Sequence, residues 1–334
     1  MSTAIKHVVA IDGKLEWVEA ELPDPGPDEV LIQVHFAGVN RADLLQAKGL
    51  YPPPPGASEA LGLECSGIVL KAGENALDEI PADARVMALL AGGGYATHAL
   101  VPVDQVVMLT KHLGLVEGAG LLETYVTAHS NLFIFADALQ DEKVLIHGGA
   151  GGVGTAALGL CRALGLRTFV TVGDQARGER CEKLGAEGYA VYHSDKPFGD
   201  VVRALGNGWE DGPDVILDCV GGAYLEKHLE LLAPGGRLVT IGLLGGRQAQ
   251  LDMGVLLRKR LKVLGSTLRA RSPEAKGHLI DALWGDVGEL IEQGTLRPHI
   301  FDIMDGKSPE RAHELLGKSG LHFGKIVLDM RNVN

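Results

Sequence analysis

The sequence predicts a mixed α/β protein in which a doubly wound, parallel-sheet domain is inserted into a β-rich domain. Short strand-like runs broken by Gly and Pro fill about the first 110 residues, and strand and helix patterns alternate after Ala119. A length of 334 residues also suits two domains better than one. We expect the β-rich domain over residues 1–121 and 269–334, and the parallel-sheet domain over residues 122–268.

The N-terminal region holds runs that are typical of sheet strands: "EVLIQVHFAG", "CSGIVLKAG", "DARVMALLAGGG" and "YATHALVPV". Before Leu113, the helix-like pattern is confined to the short stretch "NRADLLQAKG". The loop "LYPPPPGASEALG" follows, and its four prolines from Pro52 fix an extended, stiff segment. This region is therefore predicted to be a β module with one long loop.

After Ala119, the apolar runs "KVLIH", "RTFVTVG", "YAVYH", "DVILDCVG" and "GRLVTIG" alternate with helix patterns. Strands that are apolar nearly throughout are expected where helices cover both faces of a parallel sheet. A last strand, "LKVLGST", precedes a helix predicted from about Pro273 to Gln293. Strand-like "HIFDIM" and "KIVLDM" then return the chain to the β-rich domain.

Composition excludes several classes of function. A net charge of −12 repels nucleic acid and anionic membranes on average. The N-terminus has no continuous apolar segment, so we expect no secretory signal and a cytoplasmic location. The cysteines at positions 65, 161, 181 and 219 have no CxxC spacing, which argues against a disulfide framework and a thiolate zinc lobe.

A glycine loop carries the first functional signal. Within "VLIHGGAGGVGTAALGL", the pattern Gly149-x-Gly151-x-x-Gly154 directly follows a strand and opens a helix. Such glycines give a tight turn, room for a pyrophosphate beside the backbone, and close helix-to-sheet packing. The N–H groups at the helix start attract phosphate. The loop therefore predicts a dinucleotide site.

Two residues bear on which dinucleotide binds. The run "TVGDQAR" after the second strand offers Asp174, which could accept the ribose 2′-OH of NAD, and Arg177, which could bind the 2′-phosphate of NADP. Asp174 is also a plausible N-cap. The loop alone leaves the choice open.

The stretch "GLECSG" raises the question of a metal, because it sets Glu64 beside Cys65 among glycines. An acid and a thiol could be part of a metal site or belong to a tight bend. Taken alone, the stretch does not decide between them.

Three segments together resemble one known family: "GVNRADLLQAKGLYPPPPGASEALGLECSG", "VLIHGGAGGVGTAALGL" and "GKIVLDM". They resemble the quinone oxidoreductase branch of the medium-chain dehydrogenase/reductase superfamily, most closely its stress-inducible NADPH:quinone reductases. The resemblance implies a GroES-like catalytic domain at the two ends of the chain, a Rossmann domain between them, and cofactor and substrate in the cleft. It also implies a homodimer that pairs through the edge strand "LKVLGST".

The resemblance bears on the metal question. Zinc-dependent relatives have a ligand Cys where this chain has Asn40, and a His where it has Leu63, and their third ligand falls near Glu123. A single oxygen donor in place of two thiolates and an imidazole cannot make a catalytic zinc site. We therefore expect no zinc.

The resemblance also assigns cofactor residues and favours NADPH. Gly151, Gly152, Val153 and Gly154 match the pyrophosphate loop, and Gly173 falls where NAD-linked relatives have an acid. Further matches are Arg177 at the 2′-phosphate, Tyr192 at the adenosine end, and Thr127, Val220, Leu243 and Lys325 along the nicotinamide arm or cleft. Val220 and Leu243 could equally be strand-end core residues. Asp174 departs from the usual Ser or Thr, which leaves NADH possible.

The implied reaction is hydride transfer from NADPH to a quinone, whose electrophilic ring needs no Lewis acid. Candidate donors to the developing oxyanion are Tyr51 and Asn40, which match cleft positions of the branch. Alternatively, Tyr51 packs on the proline run and Asn40 caps its own turn. Two other functions stay open: reduction of an activated C=C bond, as in 2-enals or enones, and NADPH binding without catalysis.

Overall fold

The computed structural model describes residues 2–192, 196–318 and 320–333. The chain forms two compact units, Met1–Val126 with Leu268–Asn334 and Thr127–Thr267. We call them the β-rich unit and the parallel-sheet unit. Their sheets confirm the predicted α/β class, with a GroES-like β-rich domain and a Rossmann-like parallel-sheet domain.

The strands and helices are numbered in chain order. The strands are β1 (Ser2–Ile11), β2 (Lys14–Pro23), β3 (Glu29–Val39), β4 (Glu64–Ala72), β5 (Arg85–Leu89), β6 (His98–Pro102), β7 (Val106–Met108), β8 (Lys143–His147), β9 (Arg167–Val172), β10 (Gly188–Val191), β11 (Val215–Asp218), β12 (Arg237–Thr240), β13 (Lys262–Gly265), β14 (Ile300–Asp305) and β15 (Lys325–Asp329). The helices are α1 (Arg41–Ala47), α2 (Leu115–Gly118), α3 (Leu122–His129), α4 (Gly152–Ala163), α5 (Gln175–Lys183), α6 (Phe198–Ala204), α7 (Leu225–Leu231), α8 (Met253–Lys259), α9 (Pro273–Glu292) and α10 (Pro309–Gly317).

The β-rich unit contains a seven-stranded sheet in the order β14-β15-β3-β4-β5-β7, with β6 paired to β3. The C-terminal strand β15 lies between β14 and β3, so both ends of the chain contribute to one sheet. Its apolar core includes Val30, Ile32, Val69, Ile326 and Leu328. This arrangement brings the start of β15 beside the end of β3.

The hairpin of β1 and β2 was not predicted. Its turn is Asp12-Gly13, with φ of 49° and 78°, and both residues are in the left-handed region that two-residue hairpins require. The Asp-Gly pair was the sequence signal for it. Most residues of both strands are exposed or partly buried, and only Ile5 and Val8 of β1 are buried, so the two strands lack the long apolar runs of the central strands.

The parallel-sheet unit contains six strands, all paired in parallel, in the order β10-β9-β8-β11-β12-β13. Chain order reverses direction between β8 and β11, which is the point where such sheets bind dinucleotides. Val144, Leu145 and Ile146 of β8 are fully buried, as expected for a central strand with both faces covered. β13 forms one edge of the sheet.

Among the described residues, no helix has both the length and the apolar character needed to cross a lipid bilayer.

Candidate active site

The glycine loop lies between β8 and α4, beside the point where the strand order reverses. Gly151 is the N-cap of α4 with extended backbone, and no side chain caps the first turn. The leading N–H groups of a 12-residue helix are therefore left for a ligand. They and the positive end of the helix dipole suit the pyrophosphate of a dinucleotide.

Two glycines of this loop have no room for a side chain. A Cβ at Gly154 would lie 2.2 Å from the Gly148 carbonyl oxygen, and one at Gly149 would lie 2.6 Å from Cβ of Val170. The close approach of Gly154 to Gly148 makes the turn tight, and the close approach of Gly149 to Val170 packs the loop against β9. The fit of a dinucleotide therefore rests on the backbone of these residues.

At the end of β9, Arg177 and Asp174 form an ion pair. Asp174 is the N-cap of α5: its carboxylate accepts from the Arg177 backbone N–H at 2.9 Å and from Arg177 Nε at 2.8 Å. The guanidinium crosses Gly173, because a Cβ there would lie 2.1 Å from Arg177 Nη2. Hydrogen bonding and the Arg177 charge lower the pKa of Asp174, so its carboxylate stays ionised.

The other predicted cofactor residues of this unit are distributed along the strand ends. Tyr192 follows β10, and its hydroxyl lies near Gly148 at the start of the loop. Val220 follows β11 and donates its N–H to Asp218 at 2.7 Å. Thr127 lies in α3, with its carbonyl bound by the Asn131 side chain at 2.7 Å, and Leu243 is 57% exposed.

In the β-rich unit, Asn40, Glu64 and Lys325 form a buried network. Lys325 Nζ lies 2.7 Å from Glu64 Oε1, and it donates to Asn40 Oδ1 at 2.7 Å and to the Val39 carbonyl at 2.9 Å. Asn40 Nδ2 donates to Glu64 Oε1 at 3.0 Å. Both ends of the Asn40 amide and the ammonium of Lys325 are thus engaged within this unit.

Asp43 holds the turn that carries this network. Its carboxylate is buried and accepts from the N–H groups of Asn40 and Gly62 at 2.7 and 3.1 Å and from the Tyr95 hydroxyl at 3.2 Å. Burial raises the pKa of Asp43 to about 6. The stretch "GLECSG" is tied to α1 in this way, and burial raises the pKa of the Cys65 thiol to about 12, so that thiol is inert near neutral pH.

The residues at the zinc-ligand positions do not fit zinc. Leu63 is aliphatic and buried, and Glu123 offers a carboxyl group in place of a thiolate. Glu64, next to Leu63, is paired with the ammonium of Lys325. The Asn40 amide is hydrogen-bonded at both ends. This donor set lacks the thiolates and imidazole that zinc prefers.

Tyr51 is positioned by Arg269, which the sequence patterns did not reveal. Arg269 donates to the carbonyls of Tyr51 and Ala91 at 3.0 and 2.7 Å and to Gln46 Oε1 at 2.7 Å, and its guanidinium lies 5.4 Å from the centre of the Tyr51 ring. These partners are about 180 to 220 residues away in the chain, so no local pattern could identify them. Burial raises the pKa of Tyr51, which keeps its phenol protonated and able to donate.

One group of the described side chains, His147, Asp218 and His228, places possible metal ligands close together. The Nε2 atoms of the two histidines are 2.8 Å apart, a hydrogen-bond distance that leaves no space for an ion between them. Burial holds the pKa of both rings well below its usual value, and Asp218 accepts from the N–H groups of Val220 and Gly221. The group is a neutral histidine pair beneath the glycine loop.

Comparison with known proteins adds two family matches. The alcohol dehydrogenase GroES-like domain matches residues 26–135, and the zinc-binding dehydrogenase family matches residues 152–284. Quinone oxidoreductase of Sus scrofa is 30% identical over 310 residues, which cover 93% of this chain and 92% of that protein. A phenolphthiocerol/phthiocerol polyketide synthase protein of Mycobacterium tuberculosis is 34% identical over 72% of this chain, but the match spans 11% of that protein's length.

Solved structures are similar over nearly the whole chain. Mycobacterial Rv1454c complexed with NADPH matches with a TM-score of 0.83 and 26% identity, covering 98% of this chain and 99% of that one. The CurK enoyl reductase matches with a TM-score of 0.82 and 26% identity, covering 97% of this chain and 99% of that one.

Proposed function

Because this chain belongs to the medium-chain dehydrogenase/reductase superfamily of oxidoreductases, we propose that it is a zinc-independent NADPH:quinone reductase. The observation that carries the proposal is the buried network of Asn40, Glu64 and Lys325. The ammonium of Lys325 pairs with the buried Glu64 and binds Asn40, the residue that stands where zinc-dependent relatives have a ligand Cys. A quinone suits such a site, since its carbonyls need no Lewis acid to accept a hydride.

Two observations support NADPH as the cofactor. Arg177 extends across Gly173, where an acid would be needed for NAD, and the similar structure of Rv1454c contains NADPH. Asp174 is already bound to Arg177, so its carboxylate orients the guanidinium and caps α5. A guanidinium held in this way can bind a 2′-phosphate through its two Nη groups.

The residues of the chain have distinct parts in the reaction. The backbone of Gly151, Gly152 and Val153 holds the pyrophosphate, and bound NADPH supplies the hydride. The Tyr51 phenol, held by Arg269, donates a hydrogen bond to the oxygen that becomes negative in the acceptor. Asn40 and Lys325 act as positioning residues, because their polar groups are engaged with each other and with Glu64.

A second candidate function is reduction of an activated C=C bond, which the similarity to the CurK enoyl reductase favours. NADPH oxidation should be measured side by side with a quinone and a 2-enal at matched concentrations. Faster turnover of the quinone supports our proposal. Turnover of the enal alone would show the second function, and tight NADPH binding without turnover of either acceptor would show a non-catalytic role.

A further inference from the structure

One carboxyl oxygen of the β-rich unit is buried without a hydrogen-bond partner. It is Oε2 of Glu123 in α3, a residue that is half-buried as a whole. Buried polar groups in folded proteins are almost always paired, so this oxygen calls for an explanation. Lys276 of α9, in the same unit, is 1% exposed.

The charges around Glu123 favour its protonated form. Burial raises the pKa of Glu123 to about 8, and the negative charges of Glu64 and Asp43 add to the rise. Lys325 and Lys276 oppose it. The backbone N–H of Glu123 donates to Glu64 Oε2 at 3.0 Å, which fixes the residue beside the Asn40 network. At neutral pH Glu123 is therefore a carboxylic acid that retains a transferable proton.

Lys276 lies in the same electrostatic environment. Burial lowers the pKa of Lys276 to about 8, Glu123 raises it, and Arg269 lowers it further. Asp104, in the 3-10 turn against which α9 packs, contacts the neighbouring Gly277. The ammonium is thus available to stabilise a carboxylate at Glu123 once that group has lost its proton.

The region also contains the predicted oxyanion donor. Glu123 raises the pKa of Tyr51, and Arg269 lowers it, so the three side chains act on one another. Tyr51 is the residue that we expect to bind the acceptor oxygen. Glu123 therefore lies in the part of the β-rich unit where we expect the acceptor to bind.

We propose that Glu123 donates the proton that completes reduction of the acceptor, and that Lys276 is the positioning residue that stabilises the resulting carboxylate. The inference rests on the proposed function. Hydride transfer from NADPH to the acceptor leaves an anion, a hydroquinone monoanion or an enolate, which needs one proton. The Glu123 O–H bond breaks, the proton bonds to that anion, and solvent then returns a proton to the carboxylate.

Other candidates for the donor fit less well. Lys325 is bound to three oxygen acceptors, and the amide of Asn40 has no acidic proton. The raised pKa of Tyr51 keeps its phenol protonated, so it can donate a hydrogen bond, but it is a weaker acid than Glu123 near neutral pH. Glu123 thus transfers the proton, whereas Tyr51 donates a hydrogen bond to the acceptor oxygen.

The test is the pH dependence of kcat with the preferred acceptor for the unmutated enzyme and Glu123→Gln. In the unmutated enzyme, kcat should fall as pH rises through about 8, because the acid form of Glu123 is lost. Glu123→Gln should reduce kcat by about 100-fold or more and abolish that fall. Glu59→Gln, at an exposed position, is the matched control, and it should change neither the value of kcat nor its decrease at high pH. Each variant should bind NADPH as the unmutated protein does, which verifies the fold.

Lys276→Met provides a second readout that a purely structural role would not change. Removal of the ammonium raises the pKa of Glu123 further, so the fall in kcat should move to higher pH. Exposed Lys111→Met is the control. The assignment would be overturned if Glu123→Gln kept the kcat of the unmutated enzyme and the same decrease of kcat at high pH. It would also be overturned if Lys276→Met left the pH of that decrease unchanged. Absence of turnover in the unmutated protein would instead refute the proposed function.

Discussion

Arg177 and Asp174 form one structural pair at the start of α5, and this pairing decides how each can act on a cofactor. The carboxylate of Asp174 caps the helix and binds Nε of Arg177, which leaves the two Nη groups directed across Gly173. The sequence identified both residues but left their roles open. Their contact could not be read from spacing, since either could have faced solvent.

Replacement of Arg177 by Ala should weaken NADPH binding about tenfold or more and leave NADH binding nearly unchanged, because a charge-assisted hydrogen bond to the 2′-phosphate is lost. Asp174→Asn should keep the helix cap and increase the preference for NADPH, since a negative charge beside the phosphate is removed. Lys183→Ala, on the exposed face of the same helix, is the control. Titration of each variant with both cofactors measures the effect, and equal affinities in the unmutated protein would contradict it.

Lys325 has a structural part that the sequence did not reveal, because Glu64 and Asn40 are far from it in the chain. Lys325→Met should lower the free energy of unfolding by about 3–5 kcal/mol, since Glu64 would be left as an uncompensated buried charge. The exposed pair Lys318 and Glu314, 4.0 Å apart, provides the control. Lys318→Met should cost less than about 1 kcal/mol in denaturant unfolding. Equal losses in the two variants would show that the buried network is not stabilising.

Among the helices and strands, sequence signals predicted an element reliably where a residue type, such as a capping Ser or a Gly with positive φ, marks the end of that element. The helix predicted from about Pro273 to Gln293 is α9, Pro273–Glu292, with Ser272 as N-cap and Gly294 at φ 71° after its end. The β1–β2 hairpin was missed, because its half-covered strands lack long apolar runs. The glycine loop was identified because its strand and helix are adjacent in the chain.

The tight contact at the start of α4 gives a prediction for that element. Gly154→Ala places a Cβ 2.2 Å from the Gly148 carbonyl oxygen, so the loop must shift, and both NADPH affinity and thermal stability should fall. Gly285→Ala in α9, where a Cβ meets no atom within 4 Å, is the control. That change should raise the free energy of unfolding by about 0.5–1 kcal/mol. Unchanged NADPH binding in Gly154→Ala would contradict the assigned packing.

Across the whole molecule, the alternation of strand and helix patterns after Ala119 predicted a parallel sheet, but the order of the strands in each sheet was not predicted. The two compact units divide between Val126 and Thr127, within α3, and the domain ranges 1–121, 122–268 and 269–334 stay a prediction. A helix that passes continuously from one unit into the other carries no Gly or Pro signal at the boundary. Contacts between distant segments, such as Arg269 with Tyr51, were likewise inaccessible from the sequence.

The expected homodimer concerns the whole molecule, and it stays a prediction. β13 is an edge strand, and Leu257 and Val263 near it are 74% and 42% exposed. An apolar edge invites pairing with a second copy, so light scattering should give about twice the mass of the 35.3 kDa chain. Val263→Lys should shift the mass toward that of the monomer. A monomer at micromolar concentration in the unmutated protein would contradict the expectation.

Whether the reductase works without a metal can be measured as NADPH:quinone turnover after exhaustive dialysis against a chelator, with zinc determined on the same sample. We expect the rate to be retained while zinc falls far below one atom per chain, since Lys325 already compensates the charge of Glu64. A rate that is lost with the zinc and restored by adding it back would show that the enzyme depends on the metal.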